Sequence, residues 1–147
     1  MTPLGLTHLA LMIAALGLGA VLFARRKGTP AHVTLGRGFV GAVLASNLIV
    51  FGIHEDSPGI GVFHVLAVVS FLSVVAGAWL VRFGRGAGTR VAHGHVMLWS
   101  FAGLIAAGLG QGATALGFSP WPAIFAVLLG TGTLAVRLDI PAMVAGR

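Results

Sequence analysis

Apolar residues in this chain come in runs long enough to cross a bilayer, and polar residues fall almost entirely between the runs. A helix crossing a hydrocarbon core of about 30 Å needs about 20 apolar residues. Runs of that kind lie at roughly 4–24, 35–53, 59–81, 92–116 and 120–137. The last two form one uncharged stretch, 91–136, which is too long for a single crossing. It divides at Gly117-Phe118-Ser119-Pro120-Trp121-Pro122, where a glycine and two prolines make a turn. The pattern predicts one all-α domain over 1–147, an integral membrane bundle of five transmembrane helices. Abundant glycine, including Gly17, Gly19, Gly36, Gly38, Gly41, Gly108, Gly110 and Gly112, predicts close helix packing.

The charged residues orient the bundle. Arg25, Arg26, Lys27 and Arg37 flank the first connection, Arg82, Arg85 and Arg90 the third, and Arg137 and Arg147 follow the last helix. The alternate connections hold no basic residue, and one of them carries Glu55 and Asp56. Cytoplasmic loops are the ones that keep Lys and Arg, so the amino terminus is expected outside and the carboxyl terminus inside. The basic cluster follows the first apolar run rather than preceding it, unlike a cleavable signal peptide, so that helix is expected to be retained.

Composition narrows the chemistry. The 147 residues are 57% hydrophobic and 8% charged, far from the roughly 25% charged of soluble domains. The net charge of +6 is topological, and nucleic acid is not an expected partner. Anionic headgroups of the bilayer are. Cysteine is absent, which excludes thiolate metal sites, disulfides and thiol catalysis. Without acids inside the runs, paired-carboxylate catalysis and ion-coupled transport lack their usual groups. No catalytic residue and no direct metal site is expected. Arginine, alanine and glycine usage with a single lysine suggests a GC-rich bacterial genome, hence the bacterial cytoplasmic membrane.

Histidine is the remaining signal. Topology sorts the six into an outer layer of His8, His54 and His64 and an inner layer of His32, His93 and His95. Imidazole is an axial ligand of haem in helical bundles, so His8 with His64 and His32 with His93 are candidate pairs for b-type haem. Arg37, at the inner edge near His32, is a candidate partner for a haem propionate or a lipid phosphate. His93 and His95 stand about 200° apart on a helix, so only one faces the bundle. The alternative is that all six are interfacial side chains with one ring edge in water or headgroups.

Asn47 and Gln111 lie within runs and need hydrogen-bond partners, with helix-to-helix fastening expected and a small-ligand contact the minor alternative. Trp79, Trp99 and Trp121 are expected as interfacial anchors.

Three motifs resemble those of a domain-of-unknown-function family of small bacterial polytopic membrane proteins. They are HVTLGR at 32–37, FH at 63–64 and AHGHVMLWSFA at 92–102, and the resemblance covers roughly 30–116. The matching positions are His32, Gly36, Arg37, His64, His93 and Met97. The chain departs from the pattern at Val33, and at Gly94 and His95, which stand where the family has a basic pair. An arginine usual late in that helix is also missing, with Gln111 nearby. The resemblance implies architecture rather than an activity. The histidine layers, not the resemblance, carry the expected function of haem binding with transmembrane electron transfer. The alternatives are a non-catalytic accessory subunit or assembly factor of a larger membrane complex, a homo-oligomer among its forms, or a passive channel for a small solute.

Overall fold

A computed structural model describes residues 2–53 and 61–145, the last three as backbone alone. His54, Glu55, Asp56 and Arg147 lie outside the described residues. The described chain is helical throughout: α1 (Pro3–Ala24), α2 (Pro30–Val50), α3 (Val62–Phe83), α4 (Ala87–Ala115), α5 (Trp121–Arg137) and α6 (Ile140–Ala145). The helices α1 to α4 are long and apolar enough to cross a membrane, and α5 is a shorter apolar helix of 17 residues.

Helix ends follow capping chemistry rather than hydropathy. Thr2 and Thr29 each precede a proline, and their hydroxyls accept from the N–H of Gly5 and His32 at 3.2 and 3.1 Å. Proline at the first helical position has no N–H to orphan, and a threonine cap contributes about 1 kcal/mol. The cap starts α2 at Pro30, five residues before the apolar run. The same distinction starts α4 at Ala87 rather than 92, because Arg90 interrupts hydropathy but not backbone hydrogen bonding. At 29 residues α4 is about 43 Å long, more than the hydrocarbon needs. α2 ends at Val50 and α3 runs Val62–Phe83, each displaced by a few residues from its run.

The division within 91–136 falls at the expected glycine. Gly117 has φ +80°, and its N–H donates to the Thr114 carbonyl while that of Phe118 donates to Ala113, both at 2.9 Å. These two bonds satisfy the last carbonyls of α4 in the manner that favours a left-handed glycine. α5 then opens at Trp121 with a proline in its first turn. The short α6 has no counterpart among the apolar runs: Asp139 accepts from the Ala142 N–H at 2.9 Å and starts it.

Two compact units make up the chain, residues 1–75 and 76–147. In the first, α1 and α2 form a hairpin. Its buried positions are Ala15, Gly19 and Leu22 on α1 and Phe39, Ala42, Val43, Ser46, Asn47 and Val50 on α2. The spacing of three and four is that of one helical stripe. In the second, α4 packs against α5 and α6. The stripe Leu98, Ala102, Ala106 and Gly110 is buried, and Gly110 faces Ile124 and Pro120 so closely that a Cβ would meet each at 3.3 Å.

The outward faces are apolar. Ile13, Leu48, Leu72, Leu129 and Val136 are all more than 60% exposed, among many other large aliphatic residues. Water-facing surfaces rarely carry contiguous apolar patches of this kind, so the solvent of these helices is lipid.

Candidate functional site

Lipid offers helices no hydrophobic gradient, so polar contacts between them weigh more in the architecture, at about 0.6 kcal/mol on average and up to about 2 each. Among the described residues three such contacts stand out, and two of them use candidate histidines.

In the first unit, His8 on α1 meets Ser46 on α2. Its Nδ1 lies 2.9 Å from the Ser46 hydroxyl and 3.2 Å from the Ser46 carbonyl. A carbonyl only accepts, so the tautomer that serves both oxygens has its proton on Nδ1. One residue on, the Asn47 amide donates to the Ser70 hydroxyl of α3 at 3.1 Å. Ser46 is fully buried and Asn47 nearly so. The amide that the apolar run left in need of a partner is thus a fastener between α2 and α3.

In the second unit, the His93 Nδ1 donates to the Gly77 carbonyl of α3 at 2.8 Å. Met97, one turn further along α4, reaches the same glycine: a Cβ there would stand 2.6 Å from its Sδ. The His-x-x-x-Met spacing therefore places two side chains of one helix face on a single residue of the neighbouring helix. The missing side chain of Gly77 makes room for Met97, and its carbonyl accepts the His93 hydrogen bond. No described hydrogen bond is made by His95, the other member of the pair.

His8 and His93 share a consequence. With the proton on Nδ1, the neutral ring carries its lone pair on Nε2, the arrangement of ligating histidines whose other nitrogen is oriented by a carbonyl. These two rings fit an axial ligand role.

His64 is arranged the other way. It sits in the first turn of α3, where the Gly61 N–H donates to its Nδ1 at 3.2 Å and the Phe51 ring lies 5.7 Å away. A main-chain N–H only donates, so the neutral ring keeps its proton on Nε2. Ligation through Nε2 would first require loss of the Gly61 bond. His32 begins α2 with its main-chain N–H on Thr29, and Arg37 is exposed on that helix. Among the described residues no three of His, Asp or Glu converge as a metal-holding group.

Two other expectations change. Gln111 lies one turn from the end of α4 and is exposed, with no side-chain hydrogen bond among the described residues, so its amide fastens no described helix. Trp99 falls near the middle of α4 because that helix starts early, and its ring edge leans toward Gly132 of α5. Trp79 and Trp121 are exposed near helix ends, as anchors should be.

Ser46, Ser70 and Gly77 were not singled out from sequence. Serine and glycine are common in membrane helices, and nothing in their spacing names a partner on another helix. No protein-family model matches the chain, and no curated protein or solved structure matches it.

Proposed function

We propose that the protein is a multi-pass protein of the bacterial cytoplasmic membrane that binds b-type haem through histidine and carries electrons across the bilayer. The observation behind this reading is that a main-chain carbonyl oxygen lies within hydrogen-bond distance of Nδ1 in both His8 and His93, an arrangement that favours the proton on Nδ1 and leaves the Nε2 lone pair for a ligand. Bound haem would supply a one-electron ferrous/ferric couple. His8 would hold one position in the first unit, with His64 as its partner there and His32 and Arg37 as further candidates of that unit, and His93 would hold one position in the second. The reading includes five crossings with the amino terminus outside, supported by the segregation of the basic residues. It also includes kinship with the small bacterial polytopic family, supported by the order of the three motifs.

Reduced-minus-oxidised visible spectra of the detergent-purified protein test the proposal. A Soret band is expected, with His8→Ala and His93→Ala each removing a distinct share. A colourless protein that also fails to take up added haemin overturns it.

A second reading is an accessory or assembly subunit of a larger membrane complex. The observation that favours it is the placement of Gly17, Gly41, Gly108, Gly112 and Gly130, where an added Cβ would meet no described atom within 4 Å. Such glycines do not serve packing within their own unit, and small residues on helix faces let another helix approach. Co-purification of a defined membrane partner in mild detergent, lost on Gly108→Leu/Gly112→Leu, tests it. A monomer alone under those conditions rejects it.

A further inference from the structure

The turn between α1 and α2 carries three consecutive cations, Arg25, Arg26 and Lys27, and they are not equivalent. Lys27 folds back on α1. Its ammonium donates to the carbonyls of Leu22, Phe23 and Arg25 at 2.7, 2.8 and 2.9 Å, and stands 5.5 Å from the Phe23 ring centre. Those are carbonyls that the end of a helix leaves without partners, at the negative end of its dipole. Burial lowers the Lys27 pKa below its ordinary value. Its charge is spent inside the hairpin.

Arg25 and Arg26 are exposed, and no ion pair is formed by either among the described residues. Asp139, the one described acid, belongs to the second unit and caps α6. With Lys27 neutralising the end of α1, nothing negative in the hairpin offsets the two guanidinium groups. They sit in the turn that closes an apolar hairpin, which falls at the headgroups when α1 and α2 cross a bilayer. We propose that Arg25 and Arg26 bind the phosphates of anionic phospholipid, and that Lys27 beside them does not. Guanidinium suits this occupant, because its planar fork of donors matches two phosphate oxygens at once. The inference rests on the chain lying in a membrane and not on the haem reading; Arg37 and every histidine stay intact in its test.

Native mass spectrometry of the full-length protein, in micelles doped with phosphatidylglycerol or phosphatidylcholine, reads the binding directly. Phosphatidylglycerol should bind more tightly. Near a charged surface each basic residue is worth about 1 kcal/mol, or about fivefold, so R25Q/R26Q should weaken phosphatidylglycerol by about 25-fold. K27Q should lower the melting temperature and keep the lipid preference. Raising salt to about 1 M, where the screening length is about 3 Å, should erase the preference in the unmutated protein, a readout that needs no variant to fold. Equal binding of the two lipids overturns the proposal, as does a preference that survives high salt. It also fails if K27Q loses phosphatidylglycerol as far as the arginine variant does, or if millimolar inorganic phosphate displaces the lipid, which would mark a free-phosphate site.

Discussion

The Nδ1 of His93 donates to the carbonyl of Gly77 at 2.8 Å, and this bond ties α4 to α3 at the place where a Cβ on Gly77 would press on the Met97 sulfur. One residue thus supplies both the space and the acceptor. The carbonyl of a helical residue already accepts from the chain four residues on, so His93 uses its second lone pair and leaves the helix intact.

Enlarging Gly77 tests that joint. Gly77→Val should lower stability by about 1–3 kcal/mol, the range for overpacking. The nearest atom is the Sδ of Met97, well out on a flexible side chain, so Gly77→Ala should cost less. Adding Met97→Ala to Gly77→Val should recover part of the loss. Thermal melts in one detergent of the parent, Gly77→Val, Met97→Ala and the double variant close the cycle, and strict additivity would show that the two residues are uncoupled.

Asn47 and Ser70 make a second fastener whose two ends differ in cost. Ser70→Ala leaves the buried Asn47 amide short of an acceptor and should destabilise by about 1–3 kcal/mol. Asn47→Leu removes the polar group altogether and should cost less. In Asn47→Leu/Ser70→Ala most of the Ser70→Ala penalty should vanish, as melts of the double variant will show.

At the carboxyl-terminal end, Ile140 of α6 is buried and its Cγ2 lies 3.0 Å from where a Cβ on Gly94 would stand. Gly94→Val should therefore lift α6 from α4. Limited proteolysis should cut the variant near Leu138 several times faster than the parent, with little change in the melting of the remaining helices. Unchanged cleavage would mean that α6 docks without Gly94.

Lys27 gives a pH dependence with a defined sign. Burial lowers its pKa in the folded protein, so between that value and the unfolded one the unfolded chain holds more protons. Stability contributed by this group should rise with pH across that alkaline window. Lys27→Met should flatten the slope, which melting curves at alkaline pH will show, and should lose the caps on three carbonyls of the α1 end.

The apolar runs made the helices legible because bilayer thickness acts on composition alone, with no knowledge of packing. Helix ends were less legible: Pro30 and Ala87 open helices in polar sequence, where a threonine cap or unbroken backbone bonding decides. Angular spacing allows only one of His93 and His95 to face the bundle, the motif match and the pairing with His32 select His93, and it is His93 that bonds to α3. Tautomers were out of reach. His8, His64 and His93 look alike in sequence, but a carbonyl faces two of them and an N–H the third, and that difference depends on which residue of a neighbouring element lies opposite.

The two longest partners in the second unit are badly matched in length. α4 spans about 43 Å and α5 about 25 Å, the latter about 5 Å short of an ordinary hydrocarbon core. If α5 completes a crossing, the lipid beside it must thin or its ends must draw headgroups inward, at a cost that grows with each ångström of mismatch. The exposed flank of α5, with Phe125, Leu129 and Val136, would then be a dimple in the membrane, and the protein would settle in thin bilayers and avoid thick ones.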